Sequence, residues 1–316
     1  MKAPTDLHEQ SAPFGRLGAR NQRTGTKKSP HPEPVEERTV LILARLRRLA
    51  TYALVAMCAS IVPAAAQEKP AGDDAAKLAK DLSNPVASLI SVPLQSNFDF
   101  RIGPDDDGWR YQLNIQPVVP ISLGADWNVI SRTILPVIYQ DDIFPGAGDQ
   151  FGLGDVTQSL FFSPKRPLFG ILILGAGPVF LIPTGTDELL GTEKFGIGPT
   201  LVALTQQRHW TAGILSNHIE SVAGDDDRAD VSSTFVQPFL AYNTSDAWTF
   251  TLQTETSYDW EGEQWSVPVN AIASKLLNIE GQMVSLGAGV RYWAESPDAG
   301  PEGFGARFIV TLLFPE

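Results

Sequence analysis

Apolar and polar residues alternate with a period of two along most of the chain after residue 88, in segments of about ten residues separated by turn-forming residues. The clearest segment is 247–259, where Trp248 and Tyr258 lie near the two ends of the apolar face and Gln253 and Glu255 belong to the polar face. Strands of this kind are typical of membrane β-barrels, in which aromatic residues mark the two membrane interfaces. The pattern therefore predicts strands with one face toward lipid and the other toward a polar interior.

The alternation predicts about twelve strands, at 89–100, 109–123, 127–139, 153–163, 169–182, 194–206, 210–221, 231–243, 247–259, 265–275, 282–294 and 304–314. An even number is expected of a single-chain bacterial barrel. The connections are alternately short and generally long, and we expect the short ones in the periplasm and the long, acidic ones outside the cell. The predicted fold is all-β, a transmembrane antiparallel β-barrel over residues 89–316. A soluble β-sandwich, the alternative, would rarely place aromatic residues so regularly at both strand ends.

Prolines lie inside several predicted strands, where a central strand of a soluble sheet would not tolerate them, because proline donates no ladder hydrogen bond. In a barrel they predict bulges or skipped ladder bonds. The positions are Pro93, Pro117, Pro136, Pro178, Pro199, Pro238 and Pro268.

The N-terminal part of the chain has a different organisation. A basic cluster at 45–48 precedes an apolar run at 49–63 and three alanines, 64–66, a pattern that predicts a cleaved signal peptide. Residues 1–66 are therefore assigned to an N-terminal extension and signal peptide. Residues 67–88 are assigned to a short helix and linker, with helix-forming residues at 73–83 and the helix ending before Asn84-Pro85.

Composition excludes several classes of function. The net charge is −12, and acidic runs such as Asp105-Asp106-Asp107 and Asp225-Asp226-Asp227 repel phosphate backbones, so nucleic acid is not an expected partner. Cys58 is the only cysteine and lies in the apolar run, which leaves no thiol for redox or metal chemistry in the barrel. The acidic runs lack the spacing of a dedicated calcium loop, and no cofactor or metal site is predicted.

Charged residues on the polar faces of the strands are the candidate functional residues. They are expected to line the lumen, where opposed charges either narrow a channel or close it. The candidates are Arg110, Arg132, His218, Glu220, Glu255, Asp259, Arg291 and Arg307.

Ser216, His218 and Glu220 also bring together residue types used in acyl transfer, and some outer-membrane barrels are lipid hydrolases. These three residues share one face of a strand, and that face is expected to be the lumen rather than the lipid side. The sequence therefore predicts no enzyme.

Several stretches resemble a family of bacterial outer-membrane transporters named after a phenol-degradation pathway, whose members often carry the label neuromedin U. The stretches are 84–97 (NPVASLISVPLQSN), 152–155 (GLGD), 185–187 (GTD), 223–230 (AGDDDRAD) and the ending 311–316 (TLLFPE). The resemblance covers about residues 84–316. It implies an outer-membrane barrel and a role in transport, and it carries over no catalytic or ligand-binding residue.

Together these features predict a channel in the bacterial outer membrane for passive passage of small molecules, with hydrophobic or aromatic solutes suggested by the family name alone. The alternative is a closed structural or adhesive barrel whose acidic loops contact cations bound to lipopolysaccharide. A lipid hydrolase is a third class. The expected partners are outer-membrane lipids and lipopolysaccharide, a small-molecule solute and the barrel-assembly machinery.

Overall fold

The computed structural model describes residues 72–314, which form one short helix and one antiparallel β-sheet. The helix, α1, spans Gly72–Leu82. The strands are β1 (Ile90–Ile102), β2 (Gly108–Ile115), β3 (Val118–Leu123), β4 (Trp127–Asp141), β5 (Asp149–Leu153), β6 (Val156–Pro164), β7 (Leu172–Ile182), β8 (Lys194–Gln207), β9 (Trp210–Gly224), β10 (Ser232–Asn243), β11 (Trp248–Thr254), β12 (Thr256–Asp259), β13 (Gln264–Ile279), β14 (Gln282–Glu295) and β15 (Gly303–Phe314).

The sheet closes on itself because its first strand pairs with its last. Ile90 of β1 lies opposite Phe314 of β15, and this antiparallel register continues to Phe98 opposite Ala306. Three barrel strands consist of two segments each, β2 with β3, β5 with β6 and β11 with β12, so the structure is a closed barrel of 12 strands. The predicted all-β barrel is confirmed. The break between β2 and β3 includes Pro117, which has no N–H to donate to the ladder.

Connections at the two ends of the barrel differ in length. Turns at 124–126, 165–171, 208–209, 244–247 and 280–281 lie at one end, called the short-turn end below. Mostly longer connections at 103–107, 142–148, 183–193, 225–231, 260–263 and 296–302 lie at the other, the long-loop end. The turn 165–171 is longer than predicted, because β7 begins at Leu172 rather than at residue 169.

The outer face of the barrel carries an apolar band between two belts of aromatic side chains. Near the long-loop end, the rings of Trp109 and Tyr139 pack with centroids 5.1 Å apart, and near the short-turn end Trp210 and Tyr242 pack at 4.8 Å. Exposed apolar side chains lie between the belts, among them Leu201, Ile214, Leu240, Leu252, Leu286 and Val290. Such a band flanked by aromatic girdles is the outer surface of a membrane-spanning barrel.

Prolines interrupt the ladder where the sequence predicted irregular pairing. Pro178 of β7 lies opposite Pro199 of β8, and the pairing of β8 with β9 skips residues 198 and 199. The two chains nevertheless lie close together here, since a Cβ at Gly198 would lie 1.7 Å from the carbonyl oxygen of His218. Glycine is therefore required there for the wall to stay closed.

Residues 72–89, called the plug segment below, lie inside the short-turn end of the barrel. Gln206 Nε2 donates a hydrogen bond to the carbonyl of Lys80 at 2.7 Å, and Asn128 Nδ2 donates to Ser88 Oγ at 2.8 Å. Apolar residues of α1 pack against Leu276 of β13 and other residues near that end. No helix within residues 72–314 combines the length and apolar character needed to cross a membrane.

The helix agrees with the prediction at 73–83 and ends, as predicted, before Asn84-Pro85. The predicted N-terminal extension and signal peptide, residues 1–66, lie outside the described residues.

Candidate functional site in the barrel interior

The barrel interior has an apolar half and a charged half. In the apolar half, Val86 of the plug segment packs against side chains from β4, β6, β8, β9 and β10. These are Ile130, Phe161, Val202, Leu204, Leu215 and Phe239. In the charged half, arginines and carboxylates from β1, β14, β15 and the break between β11 and β12 form a connected network.

Glu255 lies at the centre of this network. Its two carboxylate oxygens accept hydrogen bonds from Arg307 Nη1 and Nη2 at 2.7 and 2.6 Å, and Oε2 also accepts one from Arg291 Nη1 at 3.1 Å. The ladder is interrupted at this residue, where the Glu255 N–H donates to the carbonyl of Pro268. One carboxylate therefore bridges two guanidinium groups, a charge-assisted arrangement stronger than neutral hydrogen bonds.

Asp99 and Asn97 of β1 complete the network. Asn97 Oδ1 accepts a hydrogen bond from Arg307 Nε at 2.7 Å, and Asp99 Oδ1 accepts one from Trp293 Nε1 at 2.8 Å. Arg291 Nε lies 3.0 Å from Asp99 Oδ1 but its N–H is not directed at any acceptor, so this contact is an ion pair rather than a hydrogen bond.

Two further arginines of the interior have neutral partners. Arg110 Nε donates to Gln140 Oε1 at 2.9 Å, and Arg132 Nη2 donates to Gln116 Oε1 at 3.0 Å. Within residues 72–314, neither forms an ion pair. Four guanidinium groups thus accompany the carboxylates of Asp99 and Glu255, which leaves an excess of positive charge in this part of the interior.

Six of the eight candidate residues lie on the inner face. Arg110, Arg132, Glu255, Arg291 and Arg307 occupy the interior as described. Asp259 lies at the long-loop mouth, where it lines a vestibule of about 670 Å³ together with loop residues that include Arg228 and Asp230. The contribution of these six to solute passage stays a prediction.

His218 and Glu220 lie on the outer face, which corrects the sequence-based expectation. Leu215 of the same strand is buried in the apolar half of the interior, so alternation directs residues 216, 218 and 220 outward. His218 Nδ1 lies 2.9 Å from Thr234 Oγ1, which also accepts a hydrogen bond from the exposed Trp260 Nε1 at 2.9 Å. Charged residues were assigned to the lumen, but in β9 the buried Leu215 faces the lumen, so His218 and Glu220 lie on the opposite face.

The long-loop end is narrowed by the connection 183–193, which folds against the inner wall. Asp155 holds this loop: Oδ1 accepts a hydrogen bond from the Gly185 N–H at 2.9 Å, and Oδ2 accepts one from the Thr192 N–H at 2.6 Å. Leu190 is buried, and Gln140 Nε2 donates to the Leu189 carbonyl at 3.3 Å. The interior is therefore restricted at this end by a loop and at the other by the plug segment.

A cavity of about 240 Å³ lies between the plug segment and the inner wall. Its polar lining includes Gln95, Gln116, Arg132, Gln237, Gln253, Thr251 and Thr311. Its apolar lining includes Leu82, Leu89, Val118, Phe239, Ile272 and Ile309.

The sequence reasoning missed Asp99, Asn97 and Gln140 as parts of the charged network. The signal for Asp99 was present, because Asn97 and Asp99 fall on one face of the predicted strand 89–100, opposite Phe98 and Phe100. Side-chain contacts between residues far apart in the chain, such as the hydrogen bond of Trp293 with Asp99, leave no local pattern in the sequence.

The sequence matches no protein-family model and no curated protein sequence. Among solved structures, the fold is similar to that of the COG4313 outer membrane channel from Pseudomonas putida F1, with a TM-score of 0.57 and 13% identity over 72% of this chain and 96% of that chain. The NanC porin and the KdgM porin in complex with disordered oligogalacturonate share 9% and 8% identity over 72% of this chain and 100% and 99% of theirs. Their TM-scores are 0.45 and 0.41. The first similarity establishes the fold, a closed barrel of the outer-membrane type.

Proposed function

We propose that this protein is a channel of the bacterial outer membrane for passive passage of small solutes, with hydrophobic or aromatic anions as the preferred class. The observation that carries this proposal is the divided interior, in which an apolar cluster accompanies four guanidinium groups, two paired with the carboxylates of Asp99 and Glu255 and two, Arg110 and Arg132, with glutamine partners. Fixed positive charge in a narrow passage attracts anions and repels cations. The resemblance to the phenol-degradation transporters agrees with this class of solute.

Passage of a solute requires the plug segment to move away from its position inside the short-turn end. A barrel of about twelve strands is wide enough to hold an aqueous path, but large interior side chains narrow it. Here the plug segment contributes both polar contacts, such as Lys80 with Gln206, and apolar ones, such as Val86 with Phe161, at the short-turn end. The channel is therefore proposed to open by displacement of this segment.

Single-channel recording in a planar bilayer tests the proposal, with protein purified from outer membranes. Discrete conductance steps and a reversal potential that indicates anion preference under a KCl gradient are expected. Arg132→Ala should reduce the anion preference, whereas Lys165→Ala, which removes a cation from the exposed turn 165–171, should not. A silent bilayer with protein that is verified as folded would support the closed structural or adhesive barrel instead.

A second candidate function, lipid hydrolysis, is favoured by one observation on the outer face. His218 lies between Thr234 Oγ1, at 2.9 Å from Nδ1, and Glu220 Oε2, at 3.3 Å from Nε2. A hydroxyl, an imidazole and a carboxylate in series is the arrangement that activates a hydroxyl for acyl transfer. Thr234 is also opposite Tyr258 near the long-loop end, on the lipid-facing side of the barrel.

Release of fatty acid from outer-membrane lipids by the purified protein tests this second candidate. His218→Ala and Thr234→Val should abolish release. Ser216→Ala is the matched control, because Ser216 Oγ donates to the carbonyl of Phe235 and does not contact His218. No release from the wild-type protein would eliminate hydrolysis as a function.

A further inference from the structure

Arg132 has unused hydrogen-bonding capacity inside the barrel. A guanidinium group carries five N–H donors, and among residues 72–314 the one side-chain partner of Arg132 is Gln116 Oε1, at 3.0 Å. Arg291 and Arg307, by contrast, bind the carboxylates of Asp99 and Glu255. Arg132 is thus a cation of the interior that its own chain leaves without a carboxylate in contact.

Arg132 belongs to the lining of a cavity that has both polar and apolar surfaces. Arg132 is one of the residues lining the 240 Å³ cavity above the plug segment. Two charged residues line this cavity, Arg132 and Asp81 of α1, and all its other lining residues are neutral. The volume is somewhat below the roughly 300–1,000 Å³ range of sites for drug-sized ligands, so the cavity suits a small molecule rather than an oligomer.

The neutral lining divides into two kinds of surface. Glutamine side chains at 95, 116, 237 and 253 offer amide donors and acceptors, whereas Phe239, Ile272 and Ile309 offer apolar surface. A planar carboxylate matches the fork of a guanidinium group in two-point contact. The apolar residues would exclude water from the remainder of such a molecule and bury it favourably.

We propose that this cavity is a binding site for a small monocarboxylate with an apolar body, and that Arg132 is the residue that selects the carboxylate. The proposal rests on the proposed channel function. It specifies the class of solute that binds in the lumen during passage through the channel. A single negative charge fits the site, because Asp81 on the plug side opposes a second one. The apolar body lies against Leu82 and Leu89 of the plug segment, so binding and plug position are linked.

Calorimetric titration with benzoate, and with its uncharged isostere benzamide, tests the proposal on protein purified from outer membranes in detergent. Benzoate is expected to bind the wild-type protein at least about tenfold more tightly than benzamide, as a charge-assisted contact predicts. Arg132→Gln should remove this preference, and Arg132→Lys should retain a part of it because the charge stays but the fork is lost. Arg166→Gln is the matched control, since it removes an arginine of the exposed turn 165–171 that does not line the cavity.

Two results would overturn the proposal: equal affinity of the wild-type protein for benzoate and benzamide, or a preference for benzoate that survives Arg132→Gln. Thermal unfolding of each variant shows that it is folded, and Arg132→Lys keeps the comparison valid if Arg132→Gln does not fold. Failure here is distinguishable from failure of the channel function. A protein that conducts ions without preference for benzoate refutes the site, whereas one that binds benzoate in a silent bilayer refutes the channel.

Discussion

Glu255 and Arg307 face each other across the inside of the barrel, with Arg307 Nη1 2.7 Å from Glu255 Oε1 and Nη2 2.6 Å from Oε2. The side chain of Arg307 is fully buried, and that of Glu255 is 18% exposed. The pair joins the break between β11 and β12 to β15, two parts of the wall that are not neighbours in the sheet. It therefore links, through the interior, two parts of the wall that are separated by β13 and β14.

Replacement of Glu255 by alanine should destabilise the barrel by about 3 kcal/mol, because it leaves Arg307 as an uncompensated buried charge and removes one of the two carboxylate partners of Arg291. Tryptophan fluorescence during urea unfolding in lipid measures the change. Asp259→Ala serves as the control, since Asp259 is exposed at the mouth and forms no ion pair among residues 72–314. An unchanged unfolding midpoint for Glu255→Ala would show that the pair contributes no net stability.

A disulfide between the plug segment and the wall should keep the channel closed. Ser83 Oγ donates a hydrogen bond to Asn243 Oδ1 at 3.2 Å, so these two positions are the candidate pair for cysteine substitution, and no other cysteine lies among residues 72–314. The oxidised double variant is expected to show no conductance steps in a planar bilayer, and reducing agent should restore them. The two single-cysteine variants control for the substitutions. Conductance of the oxidised protein would mean that solute passes with the plug segment in place.

Binding of the plug segment inside the barrel should weaken as the pH rises. Burial raises the pKa of Asp81 above its ordinary value of 3.8, an effect that Lys77 and Lys80 oppose in part. The pKa of Asp81 is raised while the plug segment is bound inside the barrel. The contribution of Asp81 to this binding is therefore complete below pH 3.8 and is lost as the pH rises through the raised pKa. Open probability in bilayers should increase through this window. Asp81→Asn should remove that increase and leave the open probability at its low-pH level.

Loss of the Asp155 carboxylate should detach the loop 183–193 from the inner wall of the barrel. Asp155→Ala removes the acceptors for the N–H groups of Gly185 and Thr192, which hold the two ends of this loop. Limited proteolysis of the protein in detergent should then cleave within 183–193 several-fold faster than in the wild type. Asp226→Ala, in the exposed connection 225–231, is the control. Equal cleavage rates for Asp155→Ala and wild type would show that other contacts, such as the burial of Leu190, suffice to hold the loop.

The sequence by itself determined the barrel. Alternation along 247–259, with Trp248 and Tyr258 near the ends of one face, is a local property, because successive side chains of any strand point to opposite sides. The same holds for the number of strands, for the alternation of connection lengths and for the helix before Asn84-Pro85. Each depends on residues close together in the chain. The strand boundaries agree with the structure to within two residues, apart from the later start of β7, the earlier start of β5, the later ends of β9 and β13, and the breaks in three strands.

Only the tertiary structure decided what the interior is made of. Closure of the barrel brings Glu255 to Arg307 and Trp293 to Asp99, contacts between residues 52 and 194 positions apart that leave no periodic signal. It also places Val86 of the plug segment against an apolar half-wall. That wall accounts for the one reversed assignment: polarity alone placed His218 and Glu220 in the lumen, whereas Leu215 occupies the interior and turns them outward. Which face of a strand is buried depends on what the opposite wall presents, and the sequence of one strand does not contain that information.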